Sequence, residues 1–178
     1  MLAALTMVSS SLGTTRRVPT QFPTIQSAMQ ASATSGDTVL VNPGTYHEKI
    51  DFLGKEIVLR SLGGAEVTTI DAAGVGGSVL LLVGVGERAR VIGFTIKHGT
   101  GTQWFGSTLG GGLHVREGSG DGPLISDNLI TDNSATGGGG IYADGPAQIL
   151  RNRIVNNSSN WKGGGIWCQR RVVVSNNE

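Results

Sequence analysis

Along most of this chain apolar residues alternate with polar or small ones in short bursts, and the bursts return at a nearly fixed interval. Leu113-His114-Val115 follows Gly110-Gly111-Gly112, Ile141-Tyr142-Ala143 follows Gly138-Gly139-Gly140, and Ile166-Trp167-Cys168 follows Gly163-Gly164-Gly165. The triple glycines stand 28 and 25 residues apart. A second phrase, Ile125-Ser126-Asp127-Asn128-Leu129-Ile130, returns 24 residues later as Ile149-Leu150-Arg151-Asn152-Arg153-Ile154. Alternation with a period of two predicts strands that bury one face. Self-similarity at this interval predicts a solenoid, in which each repeat buries its apolar face only against its neighbours.

Upstream, strands are predicted at 38–41, 49–52, 56–61, 68–72, 78–83 and 89–97, most of them separated by glycine, with a turn at Asn42-Pro43-Gly44. One stretch has helical spacing. In Pro23–Ala31, Ile25, Ala28 and Met29 recur at i, i+3 and i+4, Pro23 stands near the start, and Gly36 ends the helix. No helix falls between strands, which disfavours alternating β/α folds. Residues 1–19 read as a leader, either a disordered arm or an incomplete secretion signal. A coil of short parallel strands places like residues on top of each other. Asn128, Asn152 and Asn176 are expected in one column, Asn133 and Asn157 in another, and Asp127 beside Arg151.

Three phrases carry a resemblance to a known family: Phe22-Pro23-Thr24-Ile25-Gln26-Ser27-Ala28, Gly36 through Glu48, and Gly54-Lys55-Glu56-Ile57-Val58-Leu59-Arg60-Ser61. They resemble the first coils of right-handed parallel β-helix proteins of the pectate-lyase-like superfamily. The resemblance covers residues 20–178 and implies an all-β, right-handed, single-stranded parallel β-helix of roughly five to seven coils, N-capped by a short helix. It implies no single activity, because that superfamily includes lyases, hydrolases, esterases, epimerases, phage spikes and non-catalytic surface proteins. Gly44-Thr45-Tyr46-His47-Glu48 also resembles the first motif of pectin methylesterases, but the later motifs of that family are missing, as are those of polygalacturonases.

Composition narrows the partners. A net charge of +1 gives no electrostatic case for nucleic acid or an anionic membrane. No stretch approaches a membrane-spanning length of apolar residues. Glycine is abundant, 29 of 178, without collagen's period. The single cysteine, Cys168, excludes an intrachain disulfide and a Cys-rich zinc motif, and it reads as a small buried residue. No metal or other cofactor is expected: one aspartate in Gly118–Gly122 is too few for calcium, and the glycine runs lack the residues of a phosphate loop. The composition suits a secreted or cell-surface protein.

Strand alternation assigns the candidate site. Leu113, Ile141 and Ile166 are expected inside. His114, Tyr142 and Trp167 are expected outside in an exposed column, with Arg116, Asp144 and Gln169 in the next. Aromatic faces match the C–H faces of sugars, and the polar neighbours suit hydroxyls or carboxylates. Segments of unequal length before each triple glycine bring Trp104, Phe105 and Trp161 beside that column, either as clamps for a ligand or as lids on their own coils. The ligand-binding candidates are therefore Trp104, Phe105, His114, Tyr142, Trp161 and Trp167. His114, Arg116 and Asp144 are weak catalytic candidates, a base with an oxyanion clamp. Lys97 and His98 read as surface polar residues.

The first functional expectation is a non-catalytic or vestigial carbohydrate-interacting module, with polysaccharide as its partner. The alternatives are a structural β-helix that self-associates, and a polysaccharide lyase, hydrolase or esterase. The phrase Val172–Glu178 stops without a polar or helical cap. The chain is therefore expected to be a fragment of a longer protein or a homo-oligomer joined through its C-terminal coil.

Overall fold

A computed structural model describes residues 13–178 as a parallel β-helix built from four sheets, here named A to D. Sheet A stacks Thr15–Val18, Ser35–Val41, Glu56–Ser61, Arg90–Ile92, Leu124–Ser126, Ala147–Leu150 and Val172–Ser175 in chain order. Sheet B stacks Gly44–Tyr46, Thr68–Asp71, Thr95–Lys97, Leu129–Thr131 and Arg153–Val155. Sheet C stacks Ile50–Asp51, Leu80–Val83, Leu113–Arg116, Ile141–Asp144 and Ile166–Cys168. All pairings within these three sheets are parallel, and from Ser35 to Cys168 each circuit of the chain adds one strand to A, B and C. Two corrections concern strand boundaries. Thr15–Val18, read from sequence as leader, pairs with Thr38–Val41 as the first strand of sheet A, while residues 1–12 of that leader lie outside the described residues. The span 89–97 divides into two strands at Gly93, whose φ of 79° turns the chain from sheet A to sheet B.

The interior is filled by the inward half of each alternation: Val39, Val41, Leu59, Ile70, Leu80, Leu82, Val91, Ile96, Leu113, Ile130, Ile141 and Ile149 are all buried. Asparagine ladders brace two corners. Asn128 Nδ2 donates to Asn152 Oδ1 (3.0 Å), and Asn152 Nδ2 to Asn177 Oδ1 (3.0 Å). At the next corner Asn133 Nδ2 donates to Asn157 Oδ1 (3.0 Å). Buried amides also bond backbone groups of the neighbouring coil, as Asn152 Nδ2 does with the Ile125 carbonyl (2.9 Å), so corner polar groups are satisfied inside the stack. The first ladder ends on Asn177, not on Asn176 as expected. Sheet D carries an irregularity between the Ser134↔Ser158 and Gly137↔Lys162 pairs, which lengthens the last circuit by one residue.

The helix α1 (Ile25–Ala31) buries Ile25, Ala28 and Met29 over the first coil. It stops at Ala31 rather than at Gly36, which lies in the following strand. Thr24 and Ser27 form a capping box at its start. Glu48 adds a second clasp, accepting from the N–H groups of Ile25 and Gln26 (both 2.9 Å). At the other end Lys55 Nζ donates to the carbonyls of Met29, Gln30 and Ser32 (2.9, 2.8 and 2.7 Å). A carboxylate at the N-terminus and an ammonium at the C-terminus both complement the helix dipole. Glu48 in the Gly-Thr-Tyr-His-Glu phrase is thus a helix clasp, and Tyr46 of that phrase donates its hydroxyl to the Asn42 carbonyl (2.9 Å).

Candidate functional site

Sheet D decides what the outer face of sheet C can do. The segments before the triple glycines form its strands: an antiparallel hairpin of Thr102–Trp104 with Ser107–Leu109, then Ser134–Gly137 and Ser158–Lys162 stacked parallel on it. Each last strand residue leads into a glycine of positive φ (62°, 63° and 61° at Gly110, Gly138 and Gly163), and the chain folds back on itself to enter sheet C. Sheet D therefore lies against the outer side of sheet C. A Cβ placed on Gly137 would stand 2.5 Å from the Trp167 ring, which shows how closely the two layers meet.

The expected column is present in register, since His114 pairs with Tyr142 and Tyr142 with Trp167. It is not an open surface. His114 is 1% exposed and Tyr142 3%, and Trp167 is half-buried. The rings form a ladder, His114 to Tyr142 at 5.2 Å, Tyr142 to Trp167 at 5.0 Å, and Trp161 edge-on to Trp167 at 5.0 Å. Sequence alternation tells inside from outside of the coil, but a strand laid over the outside is invisible to it.

The three catalytic candidates are likewise engaged in structure. The Nδ1 of His114 meets the Leu109 carbonyl at 3.1 Å; a carbonyl only accepts, so this nitrogen carries the proton. Burial holds the imidazole below its usual range, Arg116 adds to that, and the Leu109 carbonyl and Asp144 oppose it. Arg116 lies 3.6 Å over the Trp104 ring and pairs with Glu117 (2.8 Å). Asp144 binds Arg170 Nε (2.7 Å), which, more than any other neighbour, keeps its carboxyl low. These three residues form no accessible acid–base pair. Burial raises the Cys168 thiol, in keeping with a packing role. Asp127 takes a two-pronged bond from Arg151 (2.9 Å each), as expected from their alignment.

Two features escaped the sequence. On sheet B, the buried Asp71 accepts from Ala73 N–H (2.9 Å) in its own coil and gathers His98 Nδ1 (2.8 Å) and Lys97 Nζ (3.6 Å) from the next, which tie the two coils together. Burial alone would raise this carboxyl; the Ala73 and His98 hydrogen bonds outweigh it and hold it low. The other feature is a cleft of about 690 Å³ on sheet C, between α1 and the 102–109 hairpin. Leu53 and Leu81 supply its apolar floor, beside the strand that holds the buried Ile50. Gln26, Gln30, Lys49, Asp51, Ser78 and Gln103 supply its polar lining, with Thr100, Thr102 and Thr108 on the hairpin side. These residues come from a helix, two coils and an insertion, so no motif joins them in the sequence.

One segment is similar to a known family. Residues 129–144 match the model of the Chlamydia polymorphic membrane protein repeat. The match spans one sheet B strand, one sheet D strand and one sheet C strand, with the Asn133 rung and the Gly138-Gly139-Gly140 corner between them. No curated protein and no solved structure matches the chain.

Proposed function

We propose that this chain is a non-catalytic, surface-displayed β-helix module that binds a saccharide in the cleft between α1 and the 102–109 hairpin. One observation carries the reading: amides, hydroxyls and a single pair of opposite charges surround an apolar floor. Sugars offer hydroxyls at their edges and C–H groups on their faces, and a site that orients a ligand with a few polar groups over an apolar surface suits both. Asp51 is the one carboxylate lining this cleft, and its Oδ1 is bound by Leu53 N–H (2.8 Å). Glycoside hydrolysis ordinarily uses two carboxyl groups, so binding without cleavage is the simpler role. The resemblance of the first coils to the pectate-lyase-like superfamily supports a saccharide ligand. Similarity to a membrane-protein repeat supports display at a cell surface.

A second reading, an assembly module that self-associates, is favoured by Val173, an exposed apolar residue stacked on Gln148 in sheet A. A glycan array separates the two. Retention of an oligosaccharide by wild type, and its loss in a Lys49→Ala/Gln103→Ala double variant, supports the cleft. A folded wild type that retains no glycan removes the saccharide reading and leaves assembly.

A further inference from the structure

The hairpin that walls the cleft closes in two residues, because Trp104 pairs directly with Ser107. Those residues, Phe105 and Gly106, both have positive φ, 43° and 80°. A two-residue loop with this backbone takes Asn, Asp or Gly at its first place, since only these enter the left-handed region at little cost. Phenylalanine is a poor occupant there on backbone grounds. It is a poor occupant on solvation grounds too, being 93% exposed. Beneath it Trp104 stands edge-on at 5.0 Å, and on the Trp104 ring lies Arg116, whose Nε is buried without an acceptor. Strain and an uncovered aromatic ring thus fall on one short turn, and the orphaned donor lies beneath it on the neighbouring sheet C strand. Features that oppose stability together mark a place kept for contact with something outside the fold.

We propose that Phe105 is a stacking platform for the saccharide and extends its site from the cleft to the tip of the hairpin. This rests on the reading of the cleft as a saccharide site. Gln103 lines the cleft two residues before Phe105, so the tip continues the same wall. A phenyl ring left 93% exposed, with one T-shaped aromatic contact, suits the C–H face of a sugar ring, which gains from contact without needing a charge.

The test uses the full chain, a printed array of neutral and acidic oligosaccharides, and calorimetry with the best-retained one. Phe105→Asn should raise the melting temperature by about 2–4 °C, by relieving the turn, and weaken the oligosaccharide about tenfold. Phe105→Trp should keep the affinity within about twofold, because it preserves the platform. If Phe105→Asn binds as wild type does, the platform is wrong and the cleft reading stands. If its melting temperature falls, the strain argument is wrong and the proposal goes with it. If wild type retains no glycan, or phosphatidylcholine vesicles instead, both readings fall.

Discussion

Up to Lys97 each circuit passes from sheet B to sheet C by a loop; after it, each circuit detours through sheet D before entering sheet C. The two regions are held by different means. In the early coils single side chains reach far along the sequence to unique backbone groups. Glu48 and Lys55 clasp the two ends of α1, Gln26 reads both backbone groups of Asp51 (2.7 and 3.2 Å), and Asp37 accepts from the N–H group of Thr14 (2.7 Å). In the later coils the same bond is made again one rung up, through asparagine columns, glycine corners and stacked rings. Among the described residues no strand stacks beyond Thr15–Val18, and the coils next to it are held by particular contacts. The middle of a solenoid can use identical ones.

One methyl group added to each region should have very different effects. In the later coils the Cβ of Gly139→Ala would stand 2.1 Å from the Ser158 carbonyl oxygen and 2.6 Å from that of Gly164. Both are backbone atoms of the next coil, and neither can rotate away. We expect a loss of about 3 kcal/mol or more, read by urea unfolding. In the early coils Gly74 has a φ of 75°, but an added methyl carbon would meet nothing within 4 Å, so Gly74→Ala should cost only about 1 kcal/mol, from backbone strain. Equal losses would mean that close rung-to-rung approach is not what demands glycine at the corner.

A smaller effect tests the clasp. Glu48→Ala leaves two helix N–H groups without their acceptor, for an expected loss of about 1–2 kcal/mol. Hydrogen exchange should quicken in α1 and in the strands it covers, Thr15–Val18, Ser35–Val41 and Ile50–Asp51, while Leu129–Thr131 and Ala147–Leu150 keep their protection. Uniform quickening along the whole solenoid would instead show that the early coils nucleate all the rest.

The same contrast explains what could be read from the sequence. Repetition is written in the chain, so the coil, the inward columns, the Asn133–Asn157 rung and the Asp127–Arg151 pair followed from spacing alone. The slip from Asn176 to Asn177 was also legible, because the last triple glycine comes after 25 residues and not 24. The strands and the helix of the early coils were readable from local pattern, but their clasps were not, since Glu48 and Lys55 meet α1 by tertiary contact that no period announces. Least legible was sheet D. Its strands are short and rich in Ser, Thr and Gly, and they read as loops. The layer they build turned an expected open aromatic face into a covered one and made one wall of the cleft.

That covering layer has a consequence in acid. His114 is kept neutral chiefly by its burial under sheet D, with its Nδ1–H donated to the Leu109 carbonyl. In the unfolded chain the same imidazole takes a second proton near its ordinary value of 6.5. Between that value and the depressed one in the fold, the unfolded state binds more protons, so stability must fall as pH falls, by at most about 1.4 kcal/mol per pH unit for one group. Urea midpoints from about pH 7.5 down to about pH 5 should show wild type losing more stability than His114→Gln, whose side chain does not titrate. The difference should vanish above about pH 7.5, where the imidazole is neutral in both states. Parallel profiles would mean that solvent reaches His114 through sheet D, and that the later coils are less tightly layered than the ring ladder indicates.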